Sequence, residues 1–120
     1  MFNFLPKFKF DEERDEYVAE LNGVEFVYDE LQDDYKIEDQ KLSKLYYEKL
    51  PEIIEFMLPE LQQVYGTVDK AQLPRLLGKP TINLGTFQIM YLEQTLDDTH
   101  IIEFEYGDDF EEFYYFNIDG

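Results

Sequence analysis

From Tyr17 to Tyr28 the chain reads YVAELNGVEFVY, with apolar and polar side chains alternating on both sides of Asn22-Gly23. A period of two is that of a strand, and Asn-Gly accepts the positive φ angles of a tight turn at both central positions, so the stretch predicts a hairpin. A two-residue loop sets the register. Leu21 then faces Val24, Ala19 faces Phe26 and Tyr17 faces Tyr28, while Val18/Val27 and Glu20/Glu25 share the other side. The Glu20/Glu25 pair opposes like charges, which is unfavourable unless water or a cation intervenes. Upstream, Phe8 and Phe10 alternate with Lys7 and Lys9 as in a strand, and Asp11–Glu16 forms a charged connection.

Between Glu38 and Tyr65 the period lengthens to that of a helix. Leu42, Leu45, Tyr46 and Leu50 form one stripe, and Ile53, Ile54, Met57, Leu61 and Val64 form another. Pro51 suits the first turn of a new helix, where its missing N–H would be unused. Pro59 falls inside the second pattern and predicts a kink or break, and Gly66 predicts a stop. A short helical piece is expected around Asp69–Leu77. After Gly78-Lys79-Pro80 the period returns to two: strands are expected at Thr81–Leu84, Thr86–Glu93, His100–Tyr106 and Phe110–Ile118. The turns between them fall at Gly85, Asp97-Asp98-Thr99 and Gly107-Asp108-Asp109. An N-terminal hairpin, central helices and a C-terminal β-meander together predict one α+β domain spanning residues 1–120. Its antiparallel sheet would carry the helices on one face.

Composition changes what this fold is expected to do. The net charge is −18, yet aromatics make up 18% of the chain, which argues against acidic disorder. Residues 11–34 hold eleven acids against Arg14 alone, and residues 97–120 hold nine acids and no base. Nucleic acid and anionic lipid would be repelled; a basic protein would be attracted. Cysteine is absent, and the first ten residues lack the apolar core of a signal peptide. No run approaches the length of a membrane span, so a cytoplasmic protein is expected.

The inventory for catalysis is thin. The chain has one histidine, His100, and one serine, Ser43, far apart in sequence, and its six glycines build no phosphate loop. Neither Asp97-Asp98 nor Asp108-Asp109 has the alternate spacing of a calcium loop. No enzyme activity, cofactor or metal is therefore expected. Carboxylate pairs carry little meaning among twenty-eight acids.

The closing stretch HIIEFEYGDDFEEFYYFNIDG interleaves seven carboxylates with seven aromatics and has no Lys or Arg. A two-residue Gly107-Asp108 turn would slide the pairing by one. With a three-residue loop at Gly107–Asp109, His100, Ile102, Phe104 and Tyr106 share a face with Phe110, Glu112, Tyr114, Phe116 and Ile118. Glu103, Glu105 and Glu111 then lie opposite, beside Ile101, Phe113 and Tyr115. A wet sheet face normally mixes both charge signs, so acids without bases point to a surface that selects a basic partner. The expected contact residues are Glu103, Glu105, Asp108, Asp109, Glu111 and Glu112, with Phe113 and Tyr115 as aromatic anchors. Same-face acids on one strand recur every ~6.8 Å, about twice the ~3.4 Å charge spacing of a DNA strand. Phosphate mimicry would thus need acids from neighbouring elements.

In size, acidity and strand–helix–strand layout, and in its tail DDTHIIEFEYGDDFEEFYYFNIDG, the chain resembles small bacterial immunity-type proteins. Such proteins are encoded beside secreted polymorphic toxins. The resemblance implies a non-enzymatic inhibitor that binds a cognate toxin, with no cofactor. Two other readings stay open: a nucleic-acid mimic acting on DNA-binding proteins, and a structural or adaptor domain whose acidity only keeps it in solution.

Overall fold

The computed structural model describes residues 9–28, 35–97 and 99–119. Lys7 and Phe8 of the expected N-terminal strand, residues 29–34 of the first acidic block and Asp98 of the expected Asp97-Asp98-Thr99 turn lie outside these residues. Seven strands form one sheet: β1 (Lys9–Asp11), β2 (Glu16–Leu21), β3 (Val24–Tyr28), β4 (Thr81–Asn83), β5 (Gln88–Tyr91), β6 (Ile101–Tyr106) and β7 (Phe113–Asp119). Their spatial order follows the sequence from β1 to β7. All neighbours are antiparallel except β3 and β4, which run parallel. The sheet is therefore mixed rather than purely antiparallel. The parallel pair arises because the chain leaves β3, crosses one face as helix, and re-enters beside β3 in the same direction.

The β2–β3 hairpin has the register that Asn22-Gly23 dictates, from Tyr17 opposite Tyr28 to Leu21 opposite Val24. Asn22 and Gly23 both have positive φ, 54° and 75°. Asn22 Nδ2 donates to Ser43 Oγ at 3.0 Å, and Tyr47 Oη donates to the Asn22 carbonyl at 2.7 Å, which ties the turn to the helix.

That helix, α1 (Tyr35–Tyr65), is one unbroken element of 31 residues with Pro51 and Pro59 inside it. No break occurs at Pro59, where a kink or break is expected, and no new helix starts at Pro51. Both prolines are exposed, as are Tyr47 and Glu55, whose carbonyls lose the i−4 hydrogen bond and can be hydrated instead. Meanwhile Leu42, Tyr46, Ile53, Ile54, Met57 and Leu61 are buried as one continuous stripe against the sheet. Gly66, at φ 77°, ends the helix and donates its N–H to the Gln62 carbonyl. A 3₁₀ turn at Lys70–Gln72, capped by Asp69, leads into α2 (Leu73–Leu77), as the sequence predicts.

Alternation then sorts the strand residues. Towards α1 point Val24, Phe26, Tyr28, Ile82, Ile89, Tyr91, Ile102, Phe104 and Tyr106, all buried in one core. Away from α1 point Glu20, Glu25, Thr81, Met90, Glu103 and Asn117 as one cross-strand row. Val18, Val27, Asn83, Gln88, Glu105 and Tyr114 form the next. This second face is not uniform: Val27 and Thr81 are buried on it, whereas Tyr114, Asn117 and Asp119 are exposed.

Candidate protein-binding surface

The C-terminal hairpin departs from its expected register. Tyr106 pairs with Phe113 and Glu105 with Tyr114, so the connection spans residues 107–112, not three residues. The cause is Phe110, which is buried at a centroid distance of 4.8 Å from Tyr106 and pulls the loop into a 3₁₀ turn at Asp108–Phe110. A bulge follows, because Glu103 pairs with Asn117 and residues 115 and 116 together face Phe104. Tyr115 sits there at φ 59° and is 75% exposed. The bulge restores the expected inward direction of Phe116 and Ile118.

Four residues therefore change place. The first is Glu112, which is expected on the apolar face and instead stays exposed in the connection before β7. Phe113, expected as an outward anchor, is turned towards α1 and packs on Phe56, Phe104 and Phe110. Tyr114, expected inward, faces away from α1. Glu111 precedes β7 and pairs with Lys49 on α1 at 3.6 Å instead of joining Glu103 and Glu105. Asp109 likewise reaches Lys41 on α1 at 2.8 Å. The loop thus receives two lysines from elsewhere in the chain, which its own sequence does not supply.

The remaining acids receive none. Among the described residues, no Lys or Arg lies within ion-pair distance of Glu103, Glu105, Asp108, Glu112 or Asp119. Gln88 Nε2 approaches Glu103 at 3.5 Å, a long and neutral contact. Tyr114 Oη donates to Glu112 Oε2 at 3.1 Å and lies over Gly107, where a Cβ would stand only 2.2 Å from that oxygen. The Glu112 hydrogen bond first, then partial desolvation and the charges of Glu112, Asp108 and Glu105, raise the Tyr114 phenol above its ordinary value. Strand and loop acids therefore act on one hydroxyl and form one field. Tyr115 stands beside Tyr114, ring centroids 5.8 Å apart.

Three N-terminal acids on the strands are held differently, whereas Asp11, Glu12, Glu13 and Asp15 at the β1–β2 turn have no cation within ion-pair distance among the described residues. Arg14 Nη2 donates to Glu25 Oε1 at 2.9 Å, and its Nε lies 3.1 Å from Glu16. Lys79 reaches Glu20 at 2.8 Å and Glu93 at 3.8 Å. Burial alone would raise the Glu25 carboxyl, but the Arg14 guanidinium and the Thr81 hydroxyl outweigh it and hold the group below its usual range. The like-charge Glu20/Glu25 pair is thus relieved by two cations.

Ser43 and His100 have separate duties. Ser43 Oγ donates to the Gln40 carbonyl and accepts from Asn22. His100 Nδ1 lies 2.7 Å from Asp97 Oδ2 and 3.0 Å from Thr99 Oγ1. Both contacts use the same ring nitrogen, so Asp97 and Thr99 do not flank the imidazole as a catalytic relay requires. Asp97 also accepts from Tyr65 Oη at 2.7 Å, from Gln94 and from two backbone N–H groups, fastening the β5–β6 loop to the end of α1. Among the described residues no group of three or more His, Asp or Glu converges as a metal site, and no helix is long and apolar enough to cross a membrane. An open groove of about 530 Å³ runs along Lys9–Glu13 and Val18, at the opposite edge of the sheet.

No family model matches this chain, and neither a curated protein nor a solved structure is found to be similar to it.

Proposed function

We propose that the protein is a non-enzymatic inhibitor of the immunity type, which occupies a basic site on a partner, a cognate toxin, through the β6–β7 end of its sheet. The observation that carries this reading is the unequal pairing of the acids on the strands themselves. Glu16, Glu20 and Glu25 have Arg14 and Lys79, whereas Glu103, Glu105 and Asp119, with Asp108 and Glu112 in the connection between them, have no internal cation among the described residues. A surface that leaves one sign uncompensated steers a partner of the opposite sign. Tyr114 and Tyr115 supply exposed rings beside the charge, the residue type that anchors interfaces. Of the anchors expected from sequence, Tyr115 stays in this set and Phe113 leaves it; Asp109 and Glu111 stand at its rim, already paired with lysines.

Strict phosphate mimicry is less well supported. Glu103 is flanked across the sheet by Met90 and Asn117, and Glu105 by Gln88 and Tyr114. Neighbouring strands therefore add no carboxylate beside either one, and the spacing stays near twice that of a nucleic-acid strand.

The test is protection of cells that express the toxin encoded beside this gene. The triple variant Glu103→Lys, Glu105→Lys, Glu112→Lys should weaken binding by at least about 100-fold and abolish protection. Full protection by the triple variant would remove the surface from the mechanism. Competition by free DNA for the partner would favour a DNA-binding site as the target.

A further inference from the structure

The outer backbone edge of β7 has no partner strand or backbone hydrogen bond among the described residues. At the other end of the sheet, β1 carries Lys9. Lysine on an edge strand is a device that keeps sheet edges from pairing. β7 lacks it: its seven residues, FYYFNID, contain no Lys or Pro. Its one irregularity, the bulge at Tyr115, re-aims a side chain but leaves Phe113–Tyr114 and Asn117–Asp119 in register with β6.

We propose that this edge accepts a β-strand from the partner, an extended segment with Lys or Arg at alternate positions and apolar residues between them. The inference rests on β6–β7 being the surface for a basic partner, and it adds the mode of binding. Alternation selects the occupant. On the face turned from α1, every second side chain of an added strand would lie about 4.8 Å from the row Tyr114, Asn117, Asp119 and about 9.6 Å from Glu103 and Glu105. Asp119 in that row, with Glu103 and Glu105 one strand further in, favours cations. On the α1 side the intervening residues would meet Phe113, Phe116 and Ile118, which are half-buried and apolar. Main-chain bonds then give affinity and the alternating side chains give selectivity. A second copy of this chain is a poor occupant, because each copy carries a net charge of −18.

The probe is the fluorescein-labelled peptide KVKVKVK, titrated against the full chain by anisotropy at low salt, with amide hydrogen exchange followed at residues 113–119. Two forms N-methylated at alternate residues, one in each phase, and the peptide EVEVEVE serve as comparisons. KVKVKVK should bind and slow exchange along β7, and EVEVEVE should not. N-methylation in one phase should weaken binding by at least about tenfold, since it removes the donors facing β7. Equal binding by both methylated forms without protection of β7 overturns strand addition, as does no binding by KVKVKVK. If that equal binding weakens in Glu103→Lys, Glu105→Lys, the charged surface survives and only its mode of use falls. If the double variant binds all basic peptides unchanged, both readings fall.

Discussion

Acidic strands stand at both ends of one sheet, β2–β3 at one and β6–β7 at the other, and the fold treats their carboxylates differently. On β2 and β3, Glu16 and Glu25 are drawn inward, with side chains 18% and 15% exposed, and Val27 beside Glu25 is buried, while Glu20 stays exposed. There the chain brings Arg14 from the β1–β2 turn and Lys79 from the approach to β4. On β6 and β7 the cations stop at the loop, where Lys41 and Lys49 meet Asp109 and Glu111. The strand acids beyond them, half-buried Glu103 and Glu105 and exposed Asp119, meet no cation among the described residues. A desolvated carboxylate needs a partner for the fold to form. The Arg14 pairs with Glu16 and Glu25 are therefore explained by folding, and the unpaired charge of Glu103 and Glu105 is what folding leaves unexplained.

The largest expected effect tests the first half of that contrast. Arg14→Ala would strand Glu25 among buried neighbours and should destabilise the protein by about 2 kcal/mol, a fall of about 8 °C in melting temperature. The cost should depend on pH. The folded Glu25 carboxyl lies below its unfolded value, so its contribution is present above about pH 4 and lost as pH falls through the folded value. Without Arg14, burial raises the same group and protonation then favours the folded state. The difference between wild type and variant in urea melts should shrink from pH 7 to about pH 3.5. A constant difference would mean that Arg14 acts through packing alone.

A smaller effect is expected at Asp97, the acid of the C-terminal block that the fold does use. It is satisfied by several donors, foremost the Tyr65 hydroxyl, and these hold it far below the ordinary carboxylate range. Burial, together with Asp97, pushes the Tyr65 phenol up to about 12. Tyr65→Phe removes one donor of several and should cost about 1 kcal/mol in a thermal or urea melt at neutral pH. A raised phenol stabilises the folded state below its unfolded value and loses that contribution as pH rises towards 12. The cost should therefore fade in alkali.

The contrast was only half legible in the sequence, for reasons that attach to particular residues. The β2–β3 hairpin could be read outright because Asn22-Gly23 fixes its turn and the turn fixes every pair. The last hairpin could not, since Gly107-Asp108-Asp109 looks like a turn but Phe110 is taken into the core beyond it. That burial lengthens the loop, and the bulge at Tyr115 then repairs the phase. The prolines of α1 mislead in the same way: sequence shows the lost N–H but not that both lie on the wet side. The parallel pairing of β3 with β4 depends on the path of the helix. Arg14 is close enough to Glu16 to be guessed, but Lys41 and Lys49 meet their acids across more than sixty positions. The absence of lysine from the tail was visible, yet which tail acids go without a cation was not.

The smallest expected change in stability is also the sharpest test of the contrast. Glu103 and Glu105 have no cation to lose, so Glu103→Gln, Glu105→Gln should shift stability by no more than about 0.5 kcal/mol, within the range of ordinary surface substitutions. Relief of repulsion in a chain of net charge −18 should make that shift favourable, most clearly at low salt, where screening is weakest. The same double variant should lose affinity for a basic partner, and its remaining binding should depend less steeply on salt than that of the wild type. Stability retained while binding falls is the signature of charge kept for recognition. Had these carboxylates served the fold, a melt would register their loss as it does that of Arg14.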